Sequence, residues 1–555
     1  MCSHRRVEVK GFKGSKKMKR RSFLKAAGAA SAATALPAIS SKASAHTPEE
    51  KYRSCIPEVF DPVAKPPAYT PALVIGSGFG GAISAYRLAQ AGIETTVLER
   101  GLRWPQDHSR DIHSGDFAPD GRAYWHRSKI THLTGLSFSF DKFAGILDVT
   151  DYEHISVWRG ACVGGGSKVF TGVMIQPERE YFEEIFADNV DYEEMRDTFY
   201  PRVKDMLDLS PIPDDLYKRA AWGHSRVWDK QARAAGYSPE PIDGIWNWDV
   251  IRKEYRFWNR RSATIGESNH GNANGAKFDV TQNYLKYAEE SGFTNVYSGT
   301  QVKGISQDAN GIYLVEVEQM DPMGTILDTY TLSCGRLFMA AGSIGTTELL
   351  LRARERGDLP NLNEHVGEGW GTNGDAAAIR SLAPSWGLTQ ASPSASKIHD
   401  ASFNMPVTLE NWYAIQVPVN VGIIASLSMV FDMKNRAKFK YNADTDSCDL
   451  LWPKNGNDET IAATRAINTK IADASLGVPG VPGLIDDVQA TFTAHPLGGV
   501  VLGKATDAYG RVHGYDGLYV MDGAMVNGST GAVNPALTIS ALAERNIEKI
   551  IQEDM

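Results

Sequence analysis

The chain has 555 residues, too many for one small core, so two domains or one large interleaved pair is expected. Its hydrophobic content of 42%, with 12 Trp and 21 Tyr, fits a globular enzyme and excludes a disordered chain. The formal net charge of −8 is uneven: residues 1–45 carry +10 and the remainder −18, a balance that excludes nucleic acid as a partner of the body.

In chain order, the basic leader comes first. Lys19-Arg20-Arg21-Ser22-Phe23-Leu24-Lys25 is a twin-arginine pattern, followed by a weakly apolar, Ala-rich stretch over 26–39 and by Ala43-Ser44-Ala45, an A-x-A cleavage signature. The apolar stretch is too short for a membrane span. Residues 1–45 therefore read as a signal peptide for a periplasmic or secreted bacterial protein. The twin-arginine translocase is its partner during export, with at most transient membrane-surface contact. Met18 directly precedes the motif, so residues 1–17 read as an over-extended gene start. The five cysteines show no C-x-x-C spacing, which points to no zinc or iron–sulfur site and demands no disulfide framework.

Residues 71–75 read as a buried parallel strand that runs into Gly76-Ser77-Gly78-Phe79-Gly80-Gly81, a helix over 82–91, and a second strand over 95–98 ending at Glu99. In such a unit Gly76 permits a tight turn, Gly78 lets a pyrophosphate approach the backbone, and Gly81 lets helix pack on strand. The diphosphate meets the positive end of the helix. Glu99 is placed to accept from a ribose 2′-hydroxyl and argues against NADP, but the motif alone does not separate FAD from NAD. Gly164-Gly165-Gly166-Ser167 offers a second backbone segment able to lie against an extended cofactor. Residues 336–348 read as strand, turn and helix, with Gly342 closing the strand. A last strand over 517–521 ends at Asp522 and leads through a Gly-rich turn to Asn534-Pro535 and a helix over 536–552. His495, in His495-Pro496-Leu497-Gly498-Gly499, can take a hydroxyl proton, and Asn534 can hold the same oxygen. That pairing suits oxidation of an alcohol. Asn534 could also simply cap the helix after Pro535.

These pieces, with Val366-Gly367-Glu368-Gly369-Trp370-Gly371 and ordered matches over 163–167, 181–185, 495–499, 504–507 and 541–546, resemble the glucose-methanol-choline (GMC) flavin oxidoreductases. The similarity is greatest to bacterial cholesterol oxidases with non-covalent FAD. The resemblance implies an α/β fold: a doubly wound Rossmann-type FAD domain over 68–110, 275–370 and 508–555, and a substrate domain on a large mixed β-sheet over 111–274 and 371–507. It implies His495 and Asn534 at the substrate hydroxyl while hydride passes to flavin N5. It also implies cofactor contacts from Gly76, Gly78, Gly81, Glu99, Gly164, Gly165, Gly166, Ser167, Gly342, Asp522 and Asn534.

Two stretches depart from the family pattern. Relatives carry a glutamate that shifts the steroid double bond. Aligned on Ala414 and Pro418, Ile415 takes its place, with Gln416 on the other strand face and Glu410 reaching the site only through a register shift. Phe170 replaces a smaller residue expected near the flavin. The leading expectation is an FAD-dependent oxidase of a secondary alcohol on a bulky, apolar, sterol-like molecule, with O2 as acceptor and without isomerisation. The alternatives are a periplasmic dehydrogenase passing electrons to a quinone or cytochrome, and a non-redox flavin-scaffold isomerase or hydrophobic-ligand carrier.

Overall fold

The computed structural model describes residues 47–131, 137–186, 189–403 and 405–555. The twin-arginine motif and the A-x-A signature lie outside the described residues.

The first sheet is built from β1 (Tyr69–Ile75), β2 (Thr95–Leu98), β3 (Thr294–Tyr297), β4 (Thr300–Gln307), β5 (Tyr313–Met320) and β6 (Ile326–Met339), joined by a strand at Leu518–Val520. Its parallel part runs β3-β2-β1-β6 and ends on Leu518–Val520, while β5 and β4 fold back antiparallel on the first half of β6. The expected strand, glycine turn and helix over 71–91 are present as β1 and α1 (Phe79–Gln90). Gly78 precedes α1 in an extended conformation with no side-chain cap, so the first N–H groups of the helix face the loop's own mouth. Gly92, at a φ of +73°, follows its last turn. A second helix, α2 (Gly342–Arg356), begins three residues after β6.

A second sheet lies over residues 240–489. Its centre is β7 (Asp375–Ser381), β8 (Ser396–Asp400), β9 (Val407–Trp412) and β10 (Ile424–Val430), in the order β7-β10-β9-β8. Where the resemblance implies mixed pairing, every ladder here is antiparallel. The short connections between β8, β9 and β10 allow hairpin-like returns, whereas parallel neighbours would need long crossovers. β7, β9 and β10 are buried along their whole lengths. One face, with Ala378, Leu409 and Ile424, packs on Ile467 and Ile471 of α3 (Asp458–Ser475). The register puts Asp375, Met429 and Thr408 side by side on the other face, followed by Ala377, Leu427 and Glu410, then Ala425 and Trp412.

The C-terminal helix α4 (Ala536–Asp554) closes the first sheet's helical layer. Its Glu544 is fully buried and accepts from Arg87 Nε at 2.7 Å, Arg87 Nη2 at 2.9 Å and Tyr284 Oη at 2.7 Å. One carboxylate thus ties α4 to α1 and to the helix Tyr284–Glu290, and losing either partner leaves a buried charge. Residues 46–555 form one compact unit. Cys55, Cys162, Cys334 and Cys448 are all free.

Glycine contacts set how closely the layers approach. A Cβ on Gly80 would stand 1.8 Å from the Met521 carbonyl oxygen, and one on Gly81 would stand 2.0 Å from that of Gly76. Gly80→Ala is therefore expected to cost about 1–3 kcal/mol through overpacking against backbone. Gly92→Ala meets nothing within 4 Å and should cost about 1 kcal/mol for its left-handed backbone alone. Equal losses for the two variants in denaturant titrations would refute the close-packing account.

Candidate active site

The first sheet's loops open on a deep cleft. It is lined by Gly76–Gly80, Glu99, Gly165, Gly166, Phe170, Ala340–Gly342 and Asp522, and also by His495 and Asn534. Within it, Gly78 has only Gly165 Cα, at 4.0 Å, near the place a Cβ would occupy, and Gly166 and Gly342 have nothing within 4 Å. The two glycine loops meet backbone to backbone. A Cβ on Gly165, which sits at a φ of +51°, would be 2.8 Å from Gly78 Cα. An extended trough floored by bare backbone, with an uncapped helix N-terminus at one side, could hold a diphosphate between two ring systems.

The structure sorts the expected cofactor residues. Gly76, Gly78, Glu99, Gly165, Gly166, Gly342 and Asp522 line the cleft, whereas Gly81, Gly164 and Ser167 do not. Gly81 packs α1 on β1. Gly164 N–H donates to Ser77 Oγ at 3.1 Å, and the Ser167 hydroxyl donates to the Gly164 carbonyl at 2.7 Å, so these two shape the loop from behind. Glu99 is buried at the end of β2 and accepts from the Ser77 hydroxyl at 2.7 Å and the Ser77 N–H at 3.1 Å. Asp522 accepts from Thr346 Oγ1 at 2.5 Å and from the N–H groups of Gly342 and Ala524 at 2.8 Å each. Burial outweighs these bonds and raises its carboxyl to about 6. Phe170 sits edge-on to Phe79 with ring centroids 5.6 Å apart, and so narrows the cleft where the family has a smaller side chain.

His495 is held by a partner that sequence reasoning missed. Its Nδ1–H donates to Asp375 Oδ1 at 2.6 Å. The other oxygen of Asp375 accepts from Thr493 Oγ1 at 2.9 Å and Ala494 N–H at 3.1 Å. A carboxylate with three donors, fully buried at the start of β7, fixes the Nδ1–H tautomer and leaves Nε2 as the basic nitrogen for a ligand. The one available signal was position: Asp375 stands four residues after the recognised 366–371 motif.

Asn534 does not cap α4, whose start at Pro535 carries no side-chain cap. Its Nδ2 instead donates to Glu410 Oε1 at 3.4 Å. This brings to Asn534 a carboxyl that was expected to reach the site only through a register shift. The strand β9 ends at Trp412, and Ile415 and Gln416 form the following turn, with Gln416 at a φ of +66° rather than on an opposite strand face. Glu410 lies on β9, on the same face as Asp375, and the site holds a carboxylate after all. Asn534 Oδ1 and Glu410 Oε2 are buried and have no hydrogen-bond partner in the protein. Two such orphans side by side mark the place of a polar ligand group. Burial, reinforced by the charge of Asp375 and opposed by the Asn534 bond, raises the Glu410 carboxyl to about 8.

A histidine–carboxylate pair and an orphaned amide–carboxyl pair thus meet at one cleft of an α/β fold. The comparisons make the class specific. A family model described as GMC oxidoreductase matches residues 453–543, and one for the twin-arginine translocation pathway signal sequence matches residues 17–37. The chain is 25% identical to a cholesterol oxidase of Acinetobacter baumannii over 86% of its own length and 94% of that protein's. It is 27% identical to a cholesterol oxidase of Mycobacterium tuberculosis (strain ATCC 25618 / H37Rv), covering 85% and 89% of the two chains. Among solved structures, pyridoxine 4-oxidase from Mesorbium loti superposes with a TM-score of 0.59 at 13% identity, covering 87% of this chain and 99% of that one. A fungal aryl-alcohol oxidase gives a TM-score of 0.60 at 12% identity, covering 88% and 100%. Residues 453–543 thus match a GMC oxidoreductase domain and most of the chain is similar to cholesterol oxidases, which supports an FAD-dependent oxidoreductase acting on CH–OH groups. Its leader directs twin-arginine export to the periplasm or beyond. No helix among the described residues is long and apolar enough to cross a membrane, and no cluster of three or more His, Cys, Asp or Glu among them could hold a metal ion.

The Glu410 carboxyl gives the stability of the fold a pH signature. Its folded value, near 8, lies above the ordinary 4.5, so its contribution is complete below the unfolded value and is lost as pH rises through the folded one. Between those limits stability should fall by as much as ~1.4 kcal/mol per pH unit from this group. Glu410→Gln should flatten that decline in denaturant titrations run across the window; an unchanged slope would show that Glu410 ionises freely in the folded chain.

Proposed function

We propose that this exported chain oxidises a secondary alcohol on a bulky, apolar, sterol-like molecule, with non-covalently bound FAD and O2 as acceptor. The observation that carries the reading is the pairing of His495, held by Asp375, with the orphaned Asn534 Oδ1 and Glu410 Oε2 beside an apolar wall. Bound FAD supplies the hydride acceptor for the carbinol C–H. Nε2 of His495 takes the hydroxyl proton, and Asp375 steadies the imidazolium that results. The amide of Asn534 orients the substrate oxygen. Ala377, Ala425, Leu427, Met429 and Trp412 share the sheet face with Glu410, so the carbon skeleton meets apolar side chains on either side of one polar spot. Non-covalent binding is supported by the cleft itself: no cysteine or tyrosine lines it, and its one histidine is engaged by Asp375.

His495→Ala should keep its yellow flavin yet reduce it about 10²–10⁴-fold more slowly under anaerobic substrate. Near-normal reduction removes His495 from the chemistry. In wild type, one hydrogen peroxide should form per ketone; turnover only with a dye and no peroxide moves the enzyme to the dehydrogenase reading.

Glu410 extends the reaction. With a 3β-hydroxy-Δ5 sterol, the ketone should leave as the conjugated enone, because an ionised Glu410 can move the proton between ring carbons. Enone formation should drop about tenfold per pH unit below 8, as the raised carboxyl protonates. Glu410→Gln should retain flavin reduction and release the unconjugated ketone; enone formation at the parental rate assigns the proton transfer elsewhere.

A further inference from the structure

The loop that delivers Asn534 lies outside any helix or strand, and its backbone is unusual. It turns left-handed at Gly528 (φ +69°), Gly531 (φ +85°) and Ala532 (φ +57°), and Ala532 lacks the freedom glycine would have there. Inside the loop, the Gly531 N–H donates to Ser529 Oγ at 3.2 Å and the Thr530 hydroxyl donates to the Val533 carbonyl at 2.7 Å. Ser529, Thr530 and Ala532 are fully buried, so the remaining backbone groups need partners from elsewhere.

Those partners come from Asn373, which gives its whole side chain to this loop. Its Nδ2 donates to the Val533 carbonyl at 2.8 Å, and its Oδ1 accepts from the Thr530 N–H at 2.9 Å. Its own N–H donates to the Gly528 carbonyl at 3.1 Å. Asn373 is fully buried and itself left-handed, at a φ of +58°, a conformation asparagine tolerates better than most residues. The Thr530 N–H can meet only an oxygen, so the orientation of the amide is fixed and its NH2 faces Val533.

The Val533 carbonyl belongs to the planar peptide group from which Asn534 leaves, and Pro535 restricts the backbone on the other side. Holding that carbonyl sets the direction of the Asn534 side chain. Two residues after Asn373, Asp375 accepts from His495 Nδ1–H at 2.6 Å. One short turn therefore grips both groups of the site, His495 through Asp375 and Asn534 through Asn373.

We propose that Asn373 is a positioning residue for the oxidation, setting Asn534 against His495 by clamping the Val533–Asn534 peptide to the turn that carries Asp375. This rests on the reading of Asn534 as the group that orients the substrate oxygen.

The test compares Asn373→Gly, Asn534→Ala and the double variant in the flavin-loaded mature chain. Glycine keeps the left-handed backbone and its N–H and removes only the amide. Anaerobic flavin reduction by an alcohol that bleaches the parent enzyme should slow about 10–100-fold in each single variant. The double variant should be no slower than Asn534→Ala alone, because one placement cannot be lost twice; a merely structural role would give losses that multiply. A second readout needs no alcohol, so it separates failure of the placement from failure of the substrate reading. Glu410 is titrated through the infrared band of its protonated carboxyl, identified by its loss in Glu410→Gln. The Asn534 bond lowers this carboxyl, so its midpoint should rise from about 8 in both single variants and no further in the double. Asp375, whose charge also raises Glu410, is present in all of them. Asn373→Ser, too short to reach Val533, serves where the glycine variant fails to fold, and unchanged flavin absorbance confirms an intact cofactor cleft. Parental flavin reduction in folded Asn373→Gly, losses that multiply in the double variant, or a Glu410 midpoint left at its parental value overturns the proposal.

Discussion

The level at which the parallel strands end is the constraint on which the rest of the molecule depends. Ile75, Met339 and Val520 stand in register across β1, β6 and the strand Leu518–Val520. The chain therefore leaves the sheet at Gly76, Ala340 and Met521 side by side, and α1 and α2 start from the same edge. Only glycine permits the approach that results: a Cβ on Gly76 would meet the Ala340 carbonyl oxygen at 2.2 Å. The cleft lies outside the carboxyl ends of these strands because parallel strands all present the same kind of end to one side.

The second sheet contributes chemistry through strict alternation. Facing residues on β7, β9 and β10 send Ala378, Leu409 and Ile424 toward α3, and Asp375, Glu410 and the apolar wall the other way. The two carboxyls differ in their donors rather than in depth. Asp375 receives three hydrogen bonds, and Glu410 receives one long bond from Asn534. Burial therefore dominates at Glu410 and pushes it toward its neutral form. The site therefore brings together a histidine held by a buried carboxylate and, on the same sheet, a carboxyl pushed up to about 8 by burial.

The sequence by itself determined the local units. The glycine turn between β1 and α1, the acid ending β2, the strand and helix around Gly342, and the helix after Pro535 were all legible, because turn chemistry and apolar periodicity act over a few residues. His495 and Asn534 were legible as candidates through the ordered motifs that surround them. Tertiary structure alone decided their partners. Asp375 reaches His495 across 120 residues, and Glu410 reaches Asn534 across 124, through strand register that no local pattern encodes. Aligning Ala414 and Pro418 put Ile415 in the carboxylate's place, whereas β9 stops at Trp412 and its buried face begins earlier. Side-chain meetings of that kind depend on where strands start, stop and pair, and that is settled by packing of the whole core rather than by the residues that meet.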